Sequence, residues 1–115
     1  VWLTIVSSAP GKQGAVTGAE ANALTATRNA KPTAVLLDPA GTIGKAYEAK
    51  TTPHMYVIDA KGILRYQGAI DDKPSSSPDS LKGANNLVLA ALSDMAANKP
   101  VAIAETEPYG CSVKY

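Results

Sequence analysis

Long apolar runs, cysteine pairs and charge of one sign are all missing from this 115-residue chain, and each absence closes a class of function. No run of about 18 apolar residues occurs, and the longest apolar stretches have strand length, which excludes a membrane-spanning helix. The single cysteine, Cys111, excludes an intrachain disulfide and leaves a free thiol or a bridge to another chain. The single histidine, His54, excludes multi-histidine metal centres, and no Cys and His set stands at ligand spacing, so no metal and no cofactor is expected. The 11 basic and 10 acidic residues are scattered, giving a net charge of +1 without the basic clusters or interleaved aromatics of a nucleic-acid surface. Neither nucleic acid nor a membrane is expected as a partner. Internal repeats and low-complexity segments are absent as well.

What is present is 45% hydrophobic content, enough for one compact domain over residues 1–115, with 99–115 as a C-terminal tail. The first six residues, Val1-Trp2-Leu3-Thr4-Ile5-Val6, already read as a strand that runs to about Ser7. The chain therefore opens inside an element, which raises a processed terminus, an excised fragment or a truncated gene. Any targeting segment would lie upstream, so the sequence assigns no compartment.

Ser8 to Gly14 carries turn chemistry in one proline and two glycines. Thr17-Gly18-Ala19-Glu20 matches a capping box, and an alanine-rich helix of about a dozen residues follows, ending near Asn29 to Ala30 because Lys31 precedes Pro32. Thr33 to Leu37 reads as a buried strand, Asp38-Pro39-Ala40-Gly41 as a turn, and Ile43, Ala46 and Tyr47 as a short helix. After Thr51-Thr52-Pro53, Met55 to Ile58 and Ile63 to Tyr66 form a hairpin around Asp59-Ala60-Lys61-Gly62. Asp71 to Ser80 is a polar, exposed loop. Leu81, Ala84, Val88, Ala91, Leu92 and Met95 recur at helical spacing, predicting one long helix that ends before Pro100. The proline-interrupted tail from Val101 to Tyr115 carries no assigned element. Strands alternating with helices and closing with a hairpin and a helix predict an α/β domain with a mixed sheet.

The reactive side chains are few. Asp71 and Asp72 are adjacent, so their carboxylates diverge and do not form an acid and base pair across a cleft. Asp38 and Asp59 each begin a turn, where local hydrogen bonds to backbone account for them. Gly11, Gly14 and Gly18 fit neither the dinucleotide fingerprint nor the phosphate loop. His54 either lines a groove beside Pro53 or is an ordinary strand residue, and Cys111 is either an exposed or packed free thiol or an intermolecular partner.

One resemblance spans nearly the whole chain. Trp2-Leu3-Thr4-Ile5-Val6-Ser7-Ser8, Val35-Leu36-Leu37-Asp38, the Thr-Pro hairpin, Ile70-Asp71-Asp72, Gly83-Ala84-Asn85-Asn86 and the ending Gly110-Cys111-Ser112-Val113-Lys114-Tyr115 occur in the order of a peroxiredoxin-like redoxin. The chain resembles that branch of the alkyl hydroperoxide reductase and thiol-specific antioxidant family, within the thioredoxin-like superfamily. The resemblance implies a thioredoxin-like mixed sheet flanked by helices, with the N-terminal strand and Cys-Pro helix missing. It further implies a cis peptide before Pro53, a substrate groove at Thr52, Pro53 and His54, and thiol-dependent antioxidant chemistry. The chain lacks the family's reactive cysteine, whose thiolate sits at a helix N-terminus, so it is expected to be inactive alone. Cys111 is then the candidate thiol. The missing central strand would leave two strand edges open, and a homodimer or a chain supplying the strand and helix is expected, with a thiol or disulfide protein as a further partner. The second reading is a non-catalytic binding or structural protein that dimerises or holds a peptide at the Thr-Pro groove.

Overall fold

Thr17 shows how directly local sequence becomes structure. Its hydroxyl accepts from the Glu20 N–H at 3.1 Å while the Glu20 carboxylate accepts from the Thr17 N–H at 3.1 Å, the reciprocal capping box that starts α1 (Gly18–Thr27). The helix ends at Arg28, after which Asn29 adopts a left-handed conformation with φ of 52°. The computed structural model describes residues 1–115. Backbone proximity groups them into two units, Val1–Ala49 with Val113–Tyr115, and Lys50–Ser112.

In the first unit, β1 (Leu3–Val6) pairs in parallel with β2 (Ala34–Leu37), and α1 connects them as a crossover helix lying against β2. The register sets Leu3 opposite Ala34 and Val6 opposite Leu37. The turn at Asp38 leads into a single helical turn, α2 (Thr42–Ala46), entered through Gly41 at φ of 70°. Tyr115 packs its ring against Gly41 and Gly44, where a Cβ at either glycine would collide with it, and its hydroxyl donates to the Ala49 carbonyl at 2.8 Å. Ala21 is the one buried apolar side chain of this unit.

The second unit is built on a hairpin, with β3 (Thr51–Thr52) leading into β4 (Met55–Ile58) and β5 (Leu64–Gly68), and an irregularity between Val57 and Ile58. Asp59 closes its turn by accepting from the N–H groups of Lys61 at 2.9 Å and Ile63 at 3.0 Å, and pairs with Arg65 at 3.2 Å. The far edge of β5 is covered by the tail, since Gln67 donates to the Ala104 carbonyl and accepts from the Thr106 N–H. A short antiparallel ladder joins β3 to β6 (Cys111–Ser112), an element that the composition of the tail does not announce. α3 (Leu87–Ala96) packs on the hairpin and completes a core of Val57, Tyr66, Ala69, Leu87 and Ala91.

The predicted long helix from Leu81 is corrected in its first turns. Pro78–Leu81 form a 3-10 turn instead, Gly83 takes a φ of 74°, and α3 begins only after Asn86, whose side chain caps the Leu89 N–H at 2.9 Å. Its inward face is consequently shifted: Leu87 and Ala91 are buried and Val88 and Met95 pack beside them, while Leu81, Leu89 and Leu92 are exposed. Asp72 to Asp79 is exposed throughout, as the polar loop composition predicts. The chain forms a small mixed α/β structure with three separate two-stranded ladders and three α-helices. None of its helices is long and apolar enough to cross a membrane.

Candidate functional site

The segment Thr52-Pro53-His54 lies between β3 and β4, and its Thr52–Pro53 peptide bond is cis. Three contacts hold it. The Thr51 hydroxyl donates to the Pro53 carbonyl at 2.8 Å, the Lys50 N–H donates to His54 Nδ1 at 3.2 Å, and the His54 ring stacks on Tyr56 with centroids 4.6 Å apart. Accepting at Nδ1 fixes the neutral His54 tautomer with its proton on Nε2. Partial burial lowers the His54 pKa below the usual 6.5 and nearby Lys50 lowers it further, against an opposing pull from Glu107. The neutral ring is thus the resident form at neutral pH.

Cys111 comes to this segment from the far end of the chain. In the β3–β6 ladder Thr52 is the direct partner of Cys111 and Thr51 that of Ser112. Directly opposed residues of an antiparallel pair project to the same face with Cβ atoms about 5 Å apart. The sole thiol therefore shares a face with Thr52, and it is exposed. Gly110 makes the approach possible: at φ of 137° it carries no Cβ, and one placed there would collide with the Thr52 carbonyl. The fold brings together all four residues singled out from sequence, Thr52, Pro53, His54 and Cys111. Sequence reasoning missed Gly110, for which the only signal was a glycine directly before the cysteine.

The carboxylates lie outside this cluster and are occupied structurally. Asp71 accepts from the Tyr109 hydroxyl at 2.5 Å and from the Lys73 N–H at 2.9 Å, and the first of these bonds raises the Tyr109 pKa. Asp72 turns instead to Asn85, accepting from its N–H at 2.8 Å and its side-chain amide at 2.6 Å, and the backbone bond holds its pKa down. Asp38 is buried, yet it accepts from the Gly44 N–H at 2.9 Å, the Ser7 hydroxyl at 2.7 Å and the Ile43 N–H at 3.0 Å. These bonds, the Gly44 one foremost, lower its pKa against the opposing effect of burial. No three His, Cys, Asp or Glu side chains converge as a metal site would require. An open depression of about 270 Å³ in the first unit, lined by Ser8, Pro10, Ala15, Val16, Glu20 and Pro39, contains none of the four candidate residues.

No protein-family model matches the chain, and no curated protein matches it. Solved structures do share its fold. A hypothetical protein from Sinorhizobium meliloti 1021 superposes with a TM-score of 0.79 at 24% identity, over 98% of this chain and 60% of its own. An uncharacterized conserved protein from Geobacillus kaustophilus superposes with a TM-score of 0.72 at 22% identity, over 98% of this chain and 58% of its own. The chain thus spans about three fifths of the length of these solved structures.

Proposed function

We propose that this chain is a thiol-dependent oxidoreductase domain of the thioredoxin-like, redoxin type, in which Cys111 is the working thiol and Thr52, Pro53 and His54 line the surface that receives its substrate. The observation that supports this most is the register of the β3–β6 ladder, which sets an exposed thiol directly opposite Thr52. The resemblance of the Thr-Pro hairpin and the Cys-bearing ending to redoxins supplies the class of chemistry.

With one cysteine the chain performs half of a thiol exchange. The Cys111 thiolate attacks one sulfur of a disulfide borne by another polypeptide. A new S–S bond forms to Cys111, the old one breaks, and the released thiolate takes up a proton. A second, external thiol must then attack the mixed disulfide to free Cys111. The residues that position the substrate strand act by backbone pairing and shape, and His54, neutral and stacked on Tyr56, presents its Nε2–H as a donor.

A second reading, a non-catalytic binding scaffold, is favoured by the single cysteine of the sequence. The two separate by experiment. Turnover of peroxide or of a dithiol, and mixed-disulfide formation with oxidised glutathione read by intact mass, are compared in the wild type, Cys111→Ser and Gly110→Ala. The redox reading expects both activities to vanish in Cys111→Ser. In Gly110→Ala the thiol is retained but displaced from Thr52, so the rate should fall at least several-fold while the melting transition of the hairpin core persists. Equal rates in wild type and Cys111→Ser would sink the redox reading and leave the scaffold.

A further inference from the structure

The edge of β1 that faces away from β2 is built to take another strand. β1 is paired with β2 alone. The carbonyls of Trp2 and Val6 accept from the N–H groups of Thr33 at 2.7 Å and Asp38 at 2.8 Å on the β2 side. Because successive residues of a strand direct their peptide groups to alternate edges, the N–H and C=O groups of Leu3 and Ile5 lie on the opposite edge. Natural edges are commonly guarded by lysine, proline or a bulge. Here Leu3 to Ser8 contains no charged residue and no proline, and the β1–β2 ladder runs without a register shift.

The faces of the ladder are equally unfinished. Leu3 and Leu36 are 49% and 38% exposed, and Leu37 is 43% exposed, so apolar side chains at successive positions of β2 meet water. Parallel strands apolar on both faces belong to covered sheets of several strands, and two strands alone are marginal. No strand among residues 1–115 pairs with this edge, so a strand that does is supplied from outside them.

We propose that the edge is occupied by β1 of a second copy, running antiparallel about a two-fold axis through Thr4. Leu3 then exchanges both backbone hydrogen bonds with Ile5 of the second copy, and Ile5 with its Leu3, so every outward group of the pair is used. The two Thr4 side chains meet across the axis as a non-hydrogen-bonded cross-strand pair. The edge is self-complementary and uncharged, and a copy therefore meets no like-charge repulsion there. A seam this short gives a weak, concentration-dependent dimer.

Sedimentation velocity of the whole chain over a concentration series tests this, beside Thr4→Lys, Thr4→Glu and an equimolar mixture of the two variants. The mass of the wild type should rise from 11.8 kDa towards twice that value with concentration. Each variant alone should weaken association at least tenfold, because like charges then face each other on the axis. The mixture should restore it, because opposite charges meet there when the two variants pair, an outcome that misfolding of either variant cannot mimic. A wild type that stays monomeric throughout overturns the proposal, and so does a mixture that associates no better than its components.

Discussion

Each of the two units of this chain is held by its own physics. Residues 50–112 have a continuous apolar core in which Tyr66 is 1% exposed, whereas residues 1–49 bury one alanine and organise themselves around a carboxylate. In the second unit the Tyr66 hydroxyl donates to the Ala69 carbonyl at 2.5 Å and meets the Thr106 hydroxyl at 2.7 Å, which in turn accepts from the Ala69 N–H. Its polar atoms are satisfied, so its aromatic ring is free to act as core. In the first unit Asp38 gathers β1 through Ser7 and α2 through Ile43 and Gly44, while leucines of both strands stay in water. Burial of apolar area holds one unit, and a charge-assisted hydrogen-bond hub holds the other.

That contrast should break first at Tyr66. Tyr66→Ala should destabilise the second unit by about 3–5 kcal/mol, as large-to-small core substitutions do, read by urea denaturation followed at the hairpin amides. Tyr66→Phe leaves the ring in place but removes the hydroxyl that joins Ala69 to Thr106, so about 1–3 kcal/mol is expected. A smaller value for the alanine variant than for the phenylalanine one would show that the hydroxyl, not the packing of the ring, holds this unit.

Acid should act on the other unit. The Asp38 pKa is lowered from 3.8 by its hydrogen bonds, so its contribution is complete above pH 3.8 and is lost as the pH falls below that value through the folded pKa. Hydrogen exchange at Ile43 and Gly44 should accelerate in that window before exchange at Val57 and Tyr66 does. Asp38→Asn should remove most of this pH sensitivity while Tyr66 variants keep it. Simultaneous loss of protection in both units would mean that they open as one.

Two smaller effects sharpen the picture. Thr17→Ala removes the hydroxyl half of the capping box, at about 1 kcal/mol, and should fray α1 without touching α3, as amide exchange would show. The lowered His54 pKa predicts a ring titration midpoint below 6.5, measurable by NMR. Protonation at Nδ1 removes the acceptor for the Lys50 N–H, so that amide should exchange faster only as the pH falls below 6.5. A midpoint above 6.5 would mean that Glu107, and not burial with Lys50, governs the ring.

Features set by neighbours in sequence were readable in advance. The Thr17 capping box, the Asp38 and Asp59 turns and the Met55 to Tyr66 hairpin each depend on residues within a few positions of one another. The start of α3 was misread because apolar spacing continues through Leu81 and Ala84, while the signals that end it, Gly83 at positive φ and the Asn86 cap, are single residues. The hub role of Asp38 was half visible: its backbone partners are local, but Ser7 lies 31 residues away. The Thr52–His54 segment could be singled out from its own residues, whereas its meeting with Cys111 depends on a β3–β6 ladder across most of the second unit, carried by a two-residue strand too short to show periodicity.

The β3–β6 ladder also orders events during synthesis. Cys111 and Ser112 pair with Thr51 and Thr52, and Tyr115 reaches back 66 residues to Ala49. A ribosome delivers each of these late residues after the hairpin and α3, which can collapse on the emerging chain while the ladder and the Gly41–Gly44 shelf wait. The thiol is therefore set opposite Thr52 as a late step, onto a core that already exists. A nascent chain stalled before Gly110 would carry that core with an unassembled site, so the placement of the thiol is kinetically separate from the folding of the body that presents it.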